Sequence, residues 1–598
     1  MKNSGLLPIL ILLLLSTISC KKNNNDNPQP PVIDPVVSAS DFAKNFGNAA
    51  SRDFIVQLVD VTNNPISGAT VTIGTSNVQT NSGGIAVIKN ASVYERFAYI
   101  RAVKTGFISG SRALVPSVSA NTIKIMMLPN RITATVNSGA TSNVSLANGT
   151  KITFDGNFKT ETGGAYAGPV SVIVNSLEAS DNNLFVKMPG MLYAQNAAGN
   201  AKLLETYGMM NVELLGGAGQ KLQITNKAQI EMNIPAAQLS VAPATIPLWH
   251  FDETLGYWKE AGIANKVGNK YVGEVSHFSW WNFDIPLPTP PVQLQIKVVG
   301  SANNPLANVK TVLFRTGGAY ASYADYTLFN GTVTGLVPQN EVLTLKLYDI
   351  CDNVVYTQNI GPFTANINVL PDIVLNLPAT QSTTISGSLK KCNNTNVTNG
   401  YVTINYGQQT FLTLINNGAF SIQTIVCNTN PITVFGEDLD NNQNTGTLNY
   451  SVTSPATNVG NILACNTSTE SITYAVDGGA VKIIAANITA SATGNSFSIS
   501  GSAPGQMNAI DIQASSITPG TYSTLSGFQM NGSGLSTNIN PVFNNFNITY
   551  NLVNVGAVGQ YIDVSFSGTY NEIVMTGMSM GYNLSHSISG TAHVIRDN

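Results

Sequence analysis

Charge is what this 598-residue chain has least of. Lys, Arg, Asp and Glu together make up 10%, against ~25% in an ordinary soluble protein. The formal net charge is −3 and no basic block occurs. That sets nucleic-acid binding aside, because neutralising phosphates needs clustered Lys and Arg. Long surface helices are disfavoured for the same reason, since they draw on Glu, Lys and Arg. No apolar run approaches the ~18 residues of a membrane-spanning helix. No C-x-x-C spacing is present, so neither a zinc knuckle nor a redox dithiol is expected. Walker, dinucleotide and kinase motifs are also missing, and no cofactor or metal is expected. Asn, Ser, Thr and Gly supply the polarity instead, a balance that favours short strands and turns. With 43% apolar residues the chain can build cores, and at ~150 residues per domain its length suggests about four domains.

Residues 1–19 read as a secretory signal: Lys2, an apolar stretch from Leu6 to Leu15, then Ser16, Thr17, Ile18 and Ser19 before Cys20. The junction resembles a bacterial lipobox, departing from it at Thr17, where Leu is usual. The resemblance implies cleavage before Cys20 and acylation of that residue, palmitate included. The alternative is an ordinary signal peptide with an incidental cysteine. Residues 20–51 carry Lys21, Lys22, an Asn-rich run and several prolines. Such a segment cannot bury a core and serves as a tether. Its style is similar to that of Bacteroidetes lipoproteins. The expected partner is therefore a membrane, reached through the lipid anchor. The expected address is the outer membrane, on the cell surface rather than the periplasmic face.

Beyond the tether, one strand–turn–strand pattern recurs. Residues 54–73 and 295–313 carry alternating apolar residues around Asn63, Asn64, Pro65 and around Asn303, Asn304, Pro305. A looser copy spans residues 385–404. Alternation makes half-buried strands, and Asn-Asn-Pro sets the turn. The expected fold is all-β: a string of tandem antiparallel β-sandwich modules, Ig-like or transthyretin-like. Boundaries are expected at residues 52–130, 131–285, 292–376, 381–466 and 467–598, with a Pro-rich linker at 286–291. A last strand is expected at 588–595 and a short capped turn at 40–46. The first copy, with Asp60, Asn64, Pro65, Gly68 to Val71 and Thr80 to Gly84, resembles the carboxypeptidase regulatory-like domain. That resemblance implies a non-catalytic seven-stranded sandwich.

Five cysteines are present. Setting Cys20 aside leaves Cys351, Cys392, Cys427 and Cys465. An even number in an exported chain permits disulfides. Cys392 with Cys427 is the preferred pair, because both fall in one module; unpaired buried thiols are the alternative.

All four tryptophans, Trp249, Trp258, Trp280 and Trp281, lie in residues 131–285, with His250 and His277 nearby. A hairpin is expected around Glu253 to Gly256, with Trp249 opposite Trp258, and a third strand at 271–283. The run resembles a module of large extracellular proteins such as cartilage intermediate layer protein. It implies a structural role without catalytic residues. Tryptophans mostly staple cores. Exposed ones would stack on sugar rings, which makes Trp249, Trp258, Trp280 and Trp281 the candidate glycan site. His250, Asp252, Glu253 and His277 lack ligand-dense spacing for a metal.

Two motifs imitate function. Gly577, Ser579 and Gly581 match the nucleophile elbow G-x-S-x-G, but no acid lies between Ser579 and His586 or His593. Residues 438–446 alternate oxygen donors as a calcium loop does, but Gln443 stands where Gly is needed and Asn449 where Glu is. A polar hairpin loop is the simpler reading. Together these features point to a non-enzymatic structural or adhesive lipoprotein that meets a surface protein or polysaccharide. A glycan-binding lipoprotein of an uptake system is the alternative.

Overall fold

A computed structural model describes residues 38–598 apart from 82, 408, 427, 429, 442, 468–469, 478–481, 485–486, 503–508, 533–534, 537–545 and 574–582. The chain is all-β. Alternation along its strands matches burial: Ala98–Val103, for example, alternates buried and solvent-facing residues along its length.

The first module has seven strands in two sheets. Ala49–Val59 lies between Ile85–Tyr94, its antiparallel neighbour, and Asn121–Met126, its parallel one. The second sheet runs Ser76–Gln79, Thr70–Ile73, Ala98–Val103, Gly110–Leu114. Phe54, Val56 and Leu58 meet Val71, Ile73 and Ile100 between them.

The third and fourth modules repeat this plan. Pro291–Gly300 pairs antiparallel with Thr332–Pro338 and parallel with Ile367–Val369 and Ile373–Leu375. Ser382–Lys391 pairs antiparallel with Ala419–Ile425 and parallel with Ala456–Ala464. In each repeat the first strand thus has a parallel neighbour from the end of its module, within a mainly antiparallel fold.

The repeated turn has one geometry. Asn63, Asn303 and Asn394 sit at φ 66°, 60° and 66°, a left-handed conformation that Asn tolerates. The next two residues return the chain, so Pro65, Pro305 and Asn396 bridge Val59, Val299 and Lys390. Ile66, Leu306 and Val397 then enter the cores.

The second module is one continuous hydrogen-bonded sheet of 14 strands. It folds back over a core of its own: Phe154, near one end of the sheet, packs on Phe158 from the other, with ring centroids 5.6 Å apart. The C-terminal domain stacks a six-stranded sheet on a five-stranded one. It ends in the strand Asn583–Ile595, which contains the expected last strand. The capped turn at the start begins slightly earlier than expected. Ser38 caps Ala39–Phe42, and Phe42 and Phe46 are buried beside Tyr193, Tyr257 and Phe97.

The modules do not form a loose string. The first packs on the second, where Ile108 and Leu128 join the core of Trp249 and Trp258. It also packs on the fourth, where Ile55 and Ile85 meet Tyr401 and Leu412. Arg315 of the third module forms ion pairs with its own Glu341 and with Glu205 of the second. Leu287, inside the Pro-rich linker, is 3% exposed and its N–H donates to the Leu203 carbonyl at 2.8 Å.

Candidate functional site

The tryptophans stand in the interior. Trp249 and Trp258 are 0% exposed, Trp281 1% and Trp280 2%. No ring face remains for a sugar, so the glycan site expected at these four residues is corrected. Their neighbours explain the burial. Trp249, Trp258 and Trp280 share a core with Leu177, Met188 and the first module's Ile108 and Leu128, while Trp281 enters the second module's own core. Trp249 Nε1 donates to the Asp284 carbonyl at 3.1 Å, and Trp281 Nε1 to the His277 carbonyl at 2.9 Å.

The hairpin forms where expected, between Thr245–Asp252 and Tyr257–Val267. Its register differs, however. Asp252 opposes Tyr257, so Phe251 faces Trp258 and Trp249 faces Glu260. The expected third strand is two strands, Lys270–Val275 and Trp280–Pro286.

His250 and His277 come together, ring centroids 4.9 Å apart. Burial holds both below the usual imidazole range, His250 at about 4. Asp252 turns away to accept from Lys259 Nζ at 2.9 Å and from the N–H groups of Thr254 and Leu255. Glu253 faces Arg101 across the module boundary at 3.9 Å. Among the described residues no group of three or more His, Cys, Asp or Glu converges. Asp284 is fully buried, and burial holds its carboxyl far above the usual range. Asn282 Nδ2 donates to it at 2.5 Å, and Thr206 to Asn282 at 3.0 Å, a polar network sealed in the core.

The disulfide also differs from expectation. Cys392 bonds Cys465, with Cα atoms 4.8 Å apart. The strand register explains why. Lys391 lies beside Ala464 in the parallel pair, so the next residues, Cys392 and Cys465, are neighbours. Ile425 pairs with Ser382, at the other end of that strand from Cys392. Cys351 is disulfide-bonded too. Cys20, Cys427 and Ser579 lie outside the described residues. Asp438 spends its oxygens on its own turn, accepting from Asp440 N and Asn441 Nδ2 at 3.1 and 2.7 Å. Asp438 lies opposite Gln443 in an antiparallel pair, the pairing of a hairpin.

What the fold does assemble is a cleft of about 1390 Å³ between the first module, the fourth and the C-terminal domain. On its floor Asn81 donates to Tyr401 and Glu437, and Tyr401 donates to the same carboxylate. Burial, then the Glu437 charge, drives the Tyr401 phenol well above its usual range. Ser491, Ser498 and Ser500 form the facing wall, with the first two hydroxyls 2.8 Å apart. At the rim burial raises Glu470 to about 7, although Ile595 N donates to it at 2.5 Å. Amides, hydroxyls and carboxyls suit a polar ligand that both donates and accepts hydrogen bonds. Asn81 falls among the marks of the first module. Tyr401 and Glu437 are hundreds of residues away from it, and no local pattern links them.

No family model and no curated protein matches the chain. Among solved structures it is similar to a streptococcal ancillary pilin at 10% identity and TM-score 0.14, covering 38% of this chain and 94% of that one. It is also similar to a point variant of the shaft pilin SpaA of Lactobacillus rhamnosus GG, at 12% and 0.15, covering 29% and 97%. The Bacillus cereus major pilin subunit BcpA matches at 8% and 0.12, covering 70% and 100%. These scores lie far below those of a shared overall fold.

Proposed function

We propose that this chain is a non-enzymatic structural or adhesive lipoprotein, anchored in the outer membrane through Cys20 and facing outward. It presents a block of β-sandwich modules to a protein or polysaccharide partner. The observation that carries this reading is the packing of the first module on both the second and the fourth through buried apolar contacts. Modules joined this way hold their outer surfaces at fixed positions, which suits display more than a set of independently moving beads. The test is protease shaving of intact cells, probed for the C-terminal domain. Loss of signal, with a periplasmic control preserved and lysed cells cleaved alike, is the expected result. Protection in intact cells, with cleavage after lysis, overturns the outward address. Hydrolase activity of the purified mature chain, abolished by one point substitution, overturns the non-enzymatic reading.

The second reading is glycan capture. The serine and amide lining of the three-module cleft favours it, in place of the buried tryptophans. Ser498→Trp, which adds bulk at a half-buried wall position of the cleft, is expected to weaken binding on a glycan array while far-ultraviolet circular dichroism is unchanged. Binding retained in that variant removes the cleft from consideration.

A further inference from the structure

One cationic side chain is stranded where the modules meet. Arg112 lies mid-strand on Gly110–Leu114, an edge strand of the first module. It is 8% exposed, and its Nη1 is buried with no hydrogen-bond partner among the described residues. A buried, unpaired N–H of a charged group is costly, and folded proteins satisfy nearly all such groups. Asp325 is the acid whose field it feels, yet the two form no ion pair among the described residues, and burial outweighs their attraction on both sides.

Arg112 lines a cavity of about 170 Å³. Four modules contribute to it: Lys124 from the first, Phe185 from the second, Asp325 from the third and Phe411 from the fourth. Lys124 is partly buried and donates to Asn63 Oδ1 at 2.8 Å. The cavity therefore holds two fixed cations and one carboxyl, leaving room for a single negative charge. A guanidinium offers a planar fork that matches a carboxylate, and Phe185, Phe411 and Leu114 provide apolar walls. A phosphate dianion would face Asp325 without a second free cation to offset it.

We propose that this junction is a binding site for a small organic monoanion, a carboxylate on an aromatic or branched apolar body, held by the Arg112 guanidinium. The ligand would touch all four modules at once, so binding would stabilise their assembled arrangement. This site is separate from the three-module cleft and does not depend on the function proposed above.

The test uses the purified mature chain with sodium benzoate, phenylacetate and isovalerate as probes. Benzamide and sodium phosphate serve as controls at matched ionic strength. At least one carboxylate is expected to bind by calorimetry, one per chain, and to raise the unfolding temperature with dose. Benzamide and phosphate are expected to do neither. Arg112→Gln is expected to weaken carboxylate binding at least tenfold. Because that substitution alters a buried site, Leu114→Trp, which fills the cavity and leaves the guanidinium in place, is measured beside it with the same loss expected. No binding by any of the three carboxylates at millimolar concentration overturns the proposal. So does equal binding of benzamide, a preference for phosphate, or undiminished binding in a folded variant.

Discussion

At the scale of single residues, three glycines carry the repeat as firmly as its asparagines do. Gly84, Gly331 and Gly418 have φ of +70°, +75° and +84°, and a Cβ added to them would lie 2.4, 2.5 and 2.9 Å from the carbonyl oxygens of Leu58, Val298 and Leu389. Those same strands donate back, with Leu58, Val298 and Leu389 N–H bonding the three glycine carbonyls. Gly331→Ala is therefore expected to cost about 1–3 kcal/mol, read as a lower urea midpoint. Gly106→Ala, also at positive φ but with open space around it, is expected to cost roughly 1 kcal/mol. Glu470 gives a second prediction. Its pKa rises from 4.5 to about 7 on folding, so the native state binds the proton more tightly than the unfolded one. Stability is then lost as pH rises from about 4.5 through about 7 and is fully present below that window. Glu470→Gln is expected to remove this slope, making the variant the more stable chain above about pH 7 in thermal melts across pH. The tryptophans mark where reading single residues stops. Their clustering is plain in the sequence. Their burial is not, because Ile108 and Leu128, which help to cover them, belong to a different module.

At the scale of strands and turns, more was legible. Period-two alternation fixed which faces turn inward, and Asn-Asn-Pro fixed two of the three repeated turns. The third copy was readable although its Pro is replaced by Asn396, because Val397 still enters the core. Pairing partners were less visible. The parallel neighbour of each first strand comes from the far end of its module, and that pair decides the disulfide. Nothing near Cys392 in sequence announces Cys465, 73 residues on, yet the strand register makes them adjacent. Peptide mapping without reduction is expected to recover a Cys392–Cys465 linked peptide. Cys392→Ser and Cys465→Ser are each expected to cost about 2–4 kcal/mol, and the double variant no more than either one.

At the scale of the whole molecule, composition correctly indicated an all-β protein of several modules, but their packing could not be read. The contacts that join them, Arg315 with Glu205 and Asn81 with Glu437, pair residues with no periodic relation in the chain. The Pro-rich linker shows the difference. By composition residues 286–291 are a spacer, but in the fold Lys202 Nζ donates to the Leu287 and Pro288 carbonyls at 3.3 and 3.1 Å. Limited proteolysis of the native chain is expected to spare this segment. Early cleavage there would show that the second and third modules separate.

The parallel pairing of first and last strands also has a mechanical meaning. A pull across the ends of such a module loads the two strands in shear, so their cross-strand bonds must yield together. A hairpin pulled at its open end gives way one bond at a time. In the fourth module the Cys392–Cys465 bond closes the end of that pair and offers tension a covalent shortcut past everything between them. Under load that module can lengthen by little more than its first strand, while the first resists by its hydrogen bonds alone.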